Sequence, residues 1–442
     1  MSRQAPDQLH LWFVADPAQP VYVGALRLVD RGRGASLQYA PGWLDRGFAL
    51  SEDLPLRDIE YLPHGRDEVA GAVEDARPDR WGERVIQYLE KPTRLSLMEY
   101  LYFAGDERFG ALGVSASAER YEPYSSSRLP TLGDVDRIHE LVRRVLENEP
   151  IAPEQKRLIA PGTTMGGARP KALIRIDNQQ WIVKFAEMGD PLDSGLIEHA
   201  TMTLAAKAGI RVAATRAVRL PDGHAVAVRR FDREGAARLP AQSAYVALRA
   251  EGNRFGYPEL AQLLRRRAPA DEAAKQMREL FRRLVFNILL DNTDDHEKNH
   301  ALLMDDRQHL HLAPAFDVLP TAQGLGFQQM HVGEAAAEST LANAFSQARL
   351  FGLAPADARA EAADVARVCA RWTAHFKAAG VAARDIDYLA QFIERDFLRT
   401  QREDIAAAPA RKTAAAPRAA AKPARPGARR PRQPAPCRER SS

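Results

Sequence analysis

The stretch Leu289-Leu-Asp-Asn-Thr-Asp-Asp-His-Glu-Lys-Asn-His-Ala-Leu-Leu303 decides how this chain is interpreted. An apolar helical segment, 280–290, runs directly into a group of acids, amides and histidines. The chain then becomes apolar again in a predicted hairpin formed by 301–304 and 309–312. One acid, Asp317, follows the hairpin among apolar neighbours. A carboxylate that borders a core needs a partner, and a divalent cation is a common one.

Asp294 and Asn299 stand in D-x-x-x-x-N spacing, and Asp317 lies downstream of the hairpin. Phosphoryl transfer uses such a set: one carboxylate orients the attacking hydroxyl, while an amide oxygen and a second carboxylate hold Mg²⁺. The pattern therefore predicts Asp294 as the base or hydroxyl-orienting group, and Asn299 and Asp317 as metal ligands. The alternative is structural, with Asp291, Asn292 and Asp294 acting as helix caps in a polar turn.

Upstream residues extend the phosphoryl-transfer hypothesis. A glycine-containing turn, 162–171, opens into a predicted hairpin of 171–176 and 180–185, and its backbone amides could face phosphate oxygens. Lys184 ends the second strand, and Glu198 lies on the next predicted helix as its pairing partner, as in protein kinases. The alternatives are a flexible turn and a surface lysine on an edge strand. The predicted phosphate-binding residues of the turn are Gly166, Gly167, Ala168, Arg169 and Lys171.

His296-Glu-Lys-Asn-His300 matches the zinc-protease pattern H-E-x-x-H. That chemistry needs both histidines on one face of a helix. Here the residues follow a polar run and lead directly into a strand, so a continuous helix is not expected. We instead place His296, with Lys298, next to the nucleotide, or His296 in a loop-stabilising role.

Composition narrows the class of protein. Hydrophobic residues make up 45% and charged residues 27%, as in ordinary globular proteins. The two cysteines are far apart, which excludes a disulfide scaffold and favours a reducing cytoplasm. We expect no membrane-spanning segment and no secretory signal, because no long apolar run is present.

The basic charge is concentrated at the C-terminus. Residues 406–442 contain ten Lys or Arg and one acid, although the net charge of the whole chain is only +4. The rest of the chain is therefore mildly acidic. The Ala/Pro/Arg composition predicts a disordered tail, either a solvated extension or a non-specific anchor for nucleic acid.

The periodicity predicts an α+β protein with a β-rich N-terminal part, an α-helical C-terminal part and a cleft between them. We predict four segments: a β-rich N-terminal domain (1–120), a lobe with the phosphate loop and lysine strand (121–258), a helical lobe with the catalytic segment (259–405) and the tail (406–442).

At these motifs the chain resembles the HipA family of toxin kinases, over nearly all of residues 9 to 400. The resemblance is carried by the catalytic segment, the Phe-Asp pair, the phosphate loop, the lysine strand, the interlobe segment and three N-terminal motifs. In this sequence they are Thr293–Asn299, Phe316-Asp317, Gly166–Lys171, Trp181–Phe185, Val228–Arg233, Gly42-Trp43-Leu44 with Phe48–Ser51, Arg77–Gly82 and Phe109–Leu112.

The resemblance implies a protein kinase-like fold with the ATP site between the lobes, ATP and Mg²⁺ as cofactors, and phosphorylation of a protein serine or threonine. It places Arg229, Phe231 and Phe316 near the nucleotide. It implies a small DNA-binding antitoxin of the HipB type as partner, with DNA bound only through the antitoxin. Autophosphorylation is implied at Thr164, with Thr163 beside it, and a tRNA synthetase is a candidate substrate. The open alternatives are a small-molecule phosphotransferase and a catalytically silent co-repressor.

Overall fold

The computed structural model describes residues 4–126, 128–159 and 168–407. All described residues belong to one compact unit, Met1–Pro409, so the predicted tail lies almost wholly outside the described part of the chain.

The N-terminal part is built on a six-stranded sheet. Its strands are β1 Gln8–Phe13, β2 Val21–Val29, β3 Gly34–Tyr39, β4 Glu60–Tyr61, β5 Glu68–Val69 and β6 Leu112–Ser115. Five of them pair antiparallel in the order β4-β3-β2-β1-β6, and β5 pairs parallel with β3. Alternation places Leu9 and Leu11 of β1 in the core that the sheet shares with helices α1 Pro41–Arg46 and α3 Leu97–Phe103. Helix α2, Arg80–Glu90, buries Trp81 and Val85 in a separate core, together with residues of the second sheet.

A second, four-stranded antiparallel sheet carries the lysine strand. Its strands are β7 Lys171–Ile176, β8 Gln179–Lys184, β9 Thr215–Leu220 and β10 Gly223–Arg229, in the order β7-β8-β10-β9. The predicted hairpin turn is confirmed, because Asp177 and Asn178 have φ angles of 50° and 59°, as in the tight turns that match strand twist. Helix α4, Val135–Glu147, packs on one face of this sheet, and helix α5, Ser194–Lys207, packs on the other.

The C-terminal part is mainly helical, and most residues of one of its helices, Ala273–Leu289, are buried. Its helices are α6 Ala244–Ala250, α7 Tyr257–Arg267, α8 Ala273–Leu289, α9 Leu341–Ser346, α10 Pro355–Cys369, α11 Trp372–Ala378, α12 Ala383–Ile393 and α13 Asp396–Ala406. A short hairpin, β11 Arg233–Glu234 with β12 Ala237–Arg238, precedes it. A three-stranded sheet of β13 Ala241–Ser243, β14 Ala301–Met304 and β15 Leu310–Leu312 flanks the predicted catalytic segment. No described helix has the length and apolar character that a membrane crossing requires.

Candidate active site

Residues 291–300, which include the predicted catalytic segment, begin where α8 ends and are held by Arg395 and Thr321. Asp291 adopts a left-handed conformation (φ 52°), and its Oδ1 accepts a hydrogen bond from Arg395 Nη2 at 2.8 Å. The Thr321 hydroxyl donates to the Asp291 carbonyl at 2.7 Å and accepts from the Thr293 backbone amide at 3.0 Å. The left-handed Asp291 ends α8: its backbone amide donates to the Ile288 carbonyl at 3.3 Å, and the Asn292 amide donates to the Asn287 carbonyl at 2.9 Å. The capping alternative therefore holds for Asp291 and Asn292, whereas Asp294 caps no described helix.

Asp294 and Asn299 meet at the end of this segment. The Asn299 Nδ2 donates to the Asp294 carbonyl at 3.3 Å. The Asn299 Oδ1 is buried and has no hydrogen-bond partner among the described residues. The Asp294 side chain is exposed towards the cleft. Burial of part of the carboxyl raises the pKa of Asp294; His296 opposes this rise and the Asp317 carboxylate adds to it.

Lys184, Glu198 and Asp317 form one buried ionic cluster. The Lys184 Nζ lies 2.7 Å from Glu198 Oε1 and also donates to Asp317 Oδ1. The side chains are 6%, 3% and 16% exposed, respectively. Asp317 has a left-handed φ of 58°, which is uncommon for a residue other than glycine. The predicted Lys184–Glu198 pair is present, and Asp317 reaches the same ammonium from beyond the β14–β15 hairpin.

The three groups perturb one another's pKa. Burial acts to lower the pKa of Lys184, but the Asp317 and Glu198 carboxylates together raise it. Burial acts to raise the pKa of Asp317, but Lys184 lowers it. Burial raises the pKa of Glu198, and Lys184 only partly opposes that. Lys184 therefore stabilises the charged form of Asp317, which is the form that binds a cation.

The donor atoms suit a hard cation better than zinc. The Asn299 amide oxygen and the Asp317 carboxylate are the oxygen ligands that Mg²⁺ prefers. Within the described residues no three His, Cys, Asp or Glu side chains converge as a metal site. The residues 296–300 are not an α-helix: His296 precedes a single 3₁₀ turn, Glu297–Asn299, and a strand begins at Ala301. The expectation that the H-E-x-x-H pattern is not helical is confirmed.

A cleft of about 640 Å³ lies beside these residues. The lining includes Ala168, Asp294, His296, Lys298 and Phe316 of the predicted site, and Asp75, Asp79, Arg80 and Glu83 of the N-terminal part. Phe231 packs against Phe316 with ring centroids 5.4 Å apart. The structure thus brings Phe316, Asp294 and several residues of 74–83 together at one opening.

Two predicted phosphate-loop residues have other partners in this structure. The Lys171 Nζ lies 2.5 Å from Asp79 Oδ2, and the Trp81 indole donates to the Lys171 carbonyl at 2.8 Å. The Arg169 Nη1 donates to Asp190 Oδ2 at 3.0 Å, beside the start of α5. Arg229 is an exposed residue at the end of β10. Nucleotide contacts by these residues stay predictions, as do those of Gly166 and Gly167, which lie outside the described residues together with Thr163 and Thr164.

The sequence interpretation missed how the segment between the lobes is held. The Asp232 carboxylate is fully buried and accepts from Arg230 Nη2 at 2.7 Å, Arg233 Nη1 at 2.9 Å and the Gly110 amide at 2.8 Å. Both guanidinium groups also donate to the Arg108 carbonyl. The arginines and aspartate that follow an apolar strand were the available signal, since such charges are rarely buried unless paired.

Two family models match the chain: the HipA N-terminal domain over residues 18–115 and the HipA-like C-terminal domain over residues 163–373. Together they cover well over half of its length. The chain belongs to the HipA family. The C-terminal match contains Lys184, Glu198, Asp294, Asn299 and Asp317. The expected family and the α+β, kinase-like fold are confirmed.

Known proteins resemble this HipA-family chain to different extents. The Shewanella oneidensis MR-1 HipA, solved in a complex of this toxin–antitoxin system with HipB and operator DNA, matches with a TM-score of 0.63 and 17% identity. That match covers 90% of this chain and 97% of the other. A curated relative from Sinorhizobium fredii, named "Putative kinase Y4dM", is 30% identical over 234 residues. The match covers 47% of this chain and 55% of the relative, so it spans little more than half of that protein.

Proposed function

We propose that the protein is an ATP- and Mg²⁺-dependent serine/threonine protein kinase that acts as the toxin of a toxin–antitoxin pair. The observation that carries this proposal is the contact of one buried lysine, Lys184, with Glu198 from a helix and Asp317 from beyond the hairpin. In protein kinases a strand lysine paired with a helix glutamate positions the phosphates, and an aspartate holds the metal. Family membership supports the same activity.

Each residue then has a distinct task. Asp294 orients the acceptor hydroxyl and takes its proton, a role that its exposure to the cleft and raised pKa favour. Glu198 orients Lys184, which neutralises phosphate charge. Asn299 and Asp317 would hold Mg²⁺ through their oxygens, and Phe231 and Phe316 would contact the base. Bound Mg·ATP supplies the transferable phosphoryl group and neutralises the charge that develops on it.

Label transfer from ATP tests these roles. Wild type, Asp294→Ala and Asp317→Ala are incubated with labelled ATP and Mg²⁺. Asp306→Ala serves as matched control, because Asp306 is an exposed residue of the β14–β15 turn. We expect wild-type labelling from the control and a loss of about 10²-fold or more from Asp294→Ala. Equal labelling by all four proteins would contradict the roles assigned to Asp294 and Asp317.

The same assay separates protein kinases from small-molecule phosphotransferases, which use similar D-x-x-x-x-N chemistry. Label on protein supports the proposal. Label that is recovered only on a metabolite, such as a sugar or an antibiotic, would support the small-molecule alternative. A catalytically silent co-repressor would transfer label neither to protein nor to a metabolite.

We further propose a small DNA-binding antitoxin of the HipB type as partner, with DNA contacted through the antitoxin. The support is the HipA relative solved with HipB and operator DNA. Expression of the chain alone should arrest growth, and Asp294→Ala should abolish the arrest. Growth arrest by Asp294→Ala equal to that by wild type would contradict a toxin that acts by phosphorylation.

Autophosphorylation at Thr164 or Thr163 is part of the proposal, because these hydroxyls lie in the segment before the predicted phosphate loop. Mass spectrometry of the purified protein should find phosphate there in wild type and not in Asp294→Ala. The protein substrate that we propose, from the family alone, is a tRNA synthetase in the cytoplasm.

A further inference from the structure

A small internal cavity lies beneath the catalytic segment. Its volume is about 10 Å³, and its polar lining residues are Arg283, Asn287, Asp295, Asn299 and His300. Three of these residues have a buried polar atom with no partner among the described residues, namely Arg283 Nε, Asn299 Oδ1 and His300 Nδ1. Buried polar atoms are rarely left unsatisfied, because the loss of hydration is not recovered.

The hydrogen bonds around His300 determine what its free nitrogen can do. The His300 Nε2 lies 3.1 Å from Asp295 Oδ2, and a carboxylate only accepts. The Tyr257 hydroxyl donates to the same oxygen and accepts from Asn287 Nδ2 at 3.0 Å. In the neutral imidazole the proton is therefore on Nε2, and Nδ1 is an acceptor. The three unsatisfied atoms are then one donor, Arg283 Nε, and two acceptors.

We propose that one water molecule occupies this cavity, accepts from Arg283 Nε and donates to His300 Nδ1 and Asn299 Oδ1. A cavity of this volume holds about one water, and buried waters typically make about three hydrogen bonds. These three bonds use both hydrogens of the water and one of its two lone pairs. An amide oxygen has two lone pairs, so Asn299 Oδ1 retains one for a cation.

This inference rests on the proposed role of Asn299 as a Mg²⁺ ligand. His300 and Arg283 are then positioning residues for the Asn299 side chain. The Asn299 Nδ2 is held by the Asp294 carbonyl, and the water holds the oxygen. Without the water, the amide can rotate and direct its N–H groups, instead of its oxygen, towards a cation. Asp295 therefore orients His300, His300 holds the water, and the water holds the Asn299 oxygen in the position that Mg²⁺ binding requires.

Two substitutions of His300 separate the contacts. In His300→Asn the side-chain oxygen lies near the position of Nδ1 and keeps the water, but the Asp295 contact is lost. In His300→Gln the amide reaches the position of Nε2 and keeps Asp295, but the water contact is lost.

The experiment uses the full chain in two measurements. High-resolution crystal structures of wild type and both variants are examined for density in the cavity. The Mg²⁺ concentration for half-maximal binding of a fluorescent ATP analogue is also determined. We expect density in wild type and His300→Asn, and a rise of about tenfold in the required Mg²⁺ for His300→Gln only, as for other groups that support metal ligands.

A dry cavity in wild type, or equal Mg²⁺ requirements for the two variants, overturns the inference. Failure of the proposed kinase function is distinguishable, because it would appear as absent nucleotide binding in wild type whatever the cavity contains.

Discussion

Two substitutions in the Lys184 cluster should destabilise the protein to very different extents, because the cluster contains one cation and two carboxylates. Lys184→Met keeps the side-chain volume and leaves Glu198 and Asp317 buried without a counter-charge. Removal of one partner from a buried ion pair costs about 3–5 kcal/mol. Glu198→Gln instead leaves a balanced Lys184–Asp317 pair and keeps an oxygen for Lys184, so its cost should stay within about 1 kcal/mol. Both variants should lose phosphoryl transfer.

Urea unfolding measures this difference. The wild-type pKa of Asp317 is lowered by Lys184, so its contribution to stability is present above the unfolded-state pKa and is lost as pH falls. In Lys184→Met that contribution is absent. Glu198 and Asp317 then lie buried without a counter-charge, which favours the protonated forms of their carboxyl groups. The deficit of Lys184→Met relative to wild type should therefore grow from pH 5 to pH 7. If Glu198→Gln destabilises the protein as much as Lys184→Met does, the charge-balance argument is wrong.

Three further predictions concern groups around the site. Burial raises the pKa of Asp75 to about 6, so its contribution to stability is lost as pH rises through that value. Asp75→Asn should therefore gain stability relative to wild type between pH 5 and 7 in thermal melts, and a constant difference would contradict this. Asp232→Ala should cost about 3–5 kcal/mol in urea unfolding, because it removes the buried carboxylate that Arg230 and Arg233 share and leaves them only Glu107 as an acidic partner. Asp306→Ala should cost almost nothing. Treatment with a zinc chelator should leave label transfer unchanged, and a loss that zinc restores would revive the H-E-x-x-H hypothesis.

Much of the site could be predicted from the sequence because its signals are local. The hairpin that carries Lys184 has an Asp177-Asn178 turn and apolar strands, and both appear in the structure. The Lys184–Glu198 pair followed from a lysine in an apolar strand and a glutamate on the next helix. The hairpin before Asp317 was also predicted, although its second strand begins at Leu310 instead of His309.

The contacts that sequence reasoning missed join residues far apart in the chain. Lys171 was interpreted from its own loop, but its ammonium contacts Asp79, 92 positions earlier. Asp232 accepts from Gly110, 122 positions earlier. Which distant charges meet depends on how the two sheets pack, and no local pattern in one sequence records that. The Tyr257–Asp295 contact, 38 positions apart, was missed for the same reason, whereas the Asp295–His300 contact is local and was also missed.

The hydrogen bonds that hold the segment between the lobes limit how the protein can be divided into fragments. A fragment that starts after β6 would lack the Gly110 amide and the Arg108 carbonyl. Arg230, Asp232 and Arg233 would then lose some of their hydrogen-bond partners. The two regions that the family models recognise separately are therefore interdependent, and a truncated kinase lobe should be a poor surrogate for the intact protein.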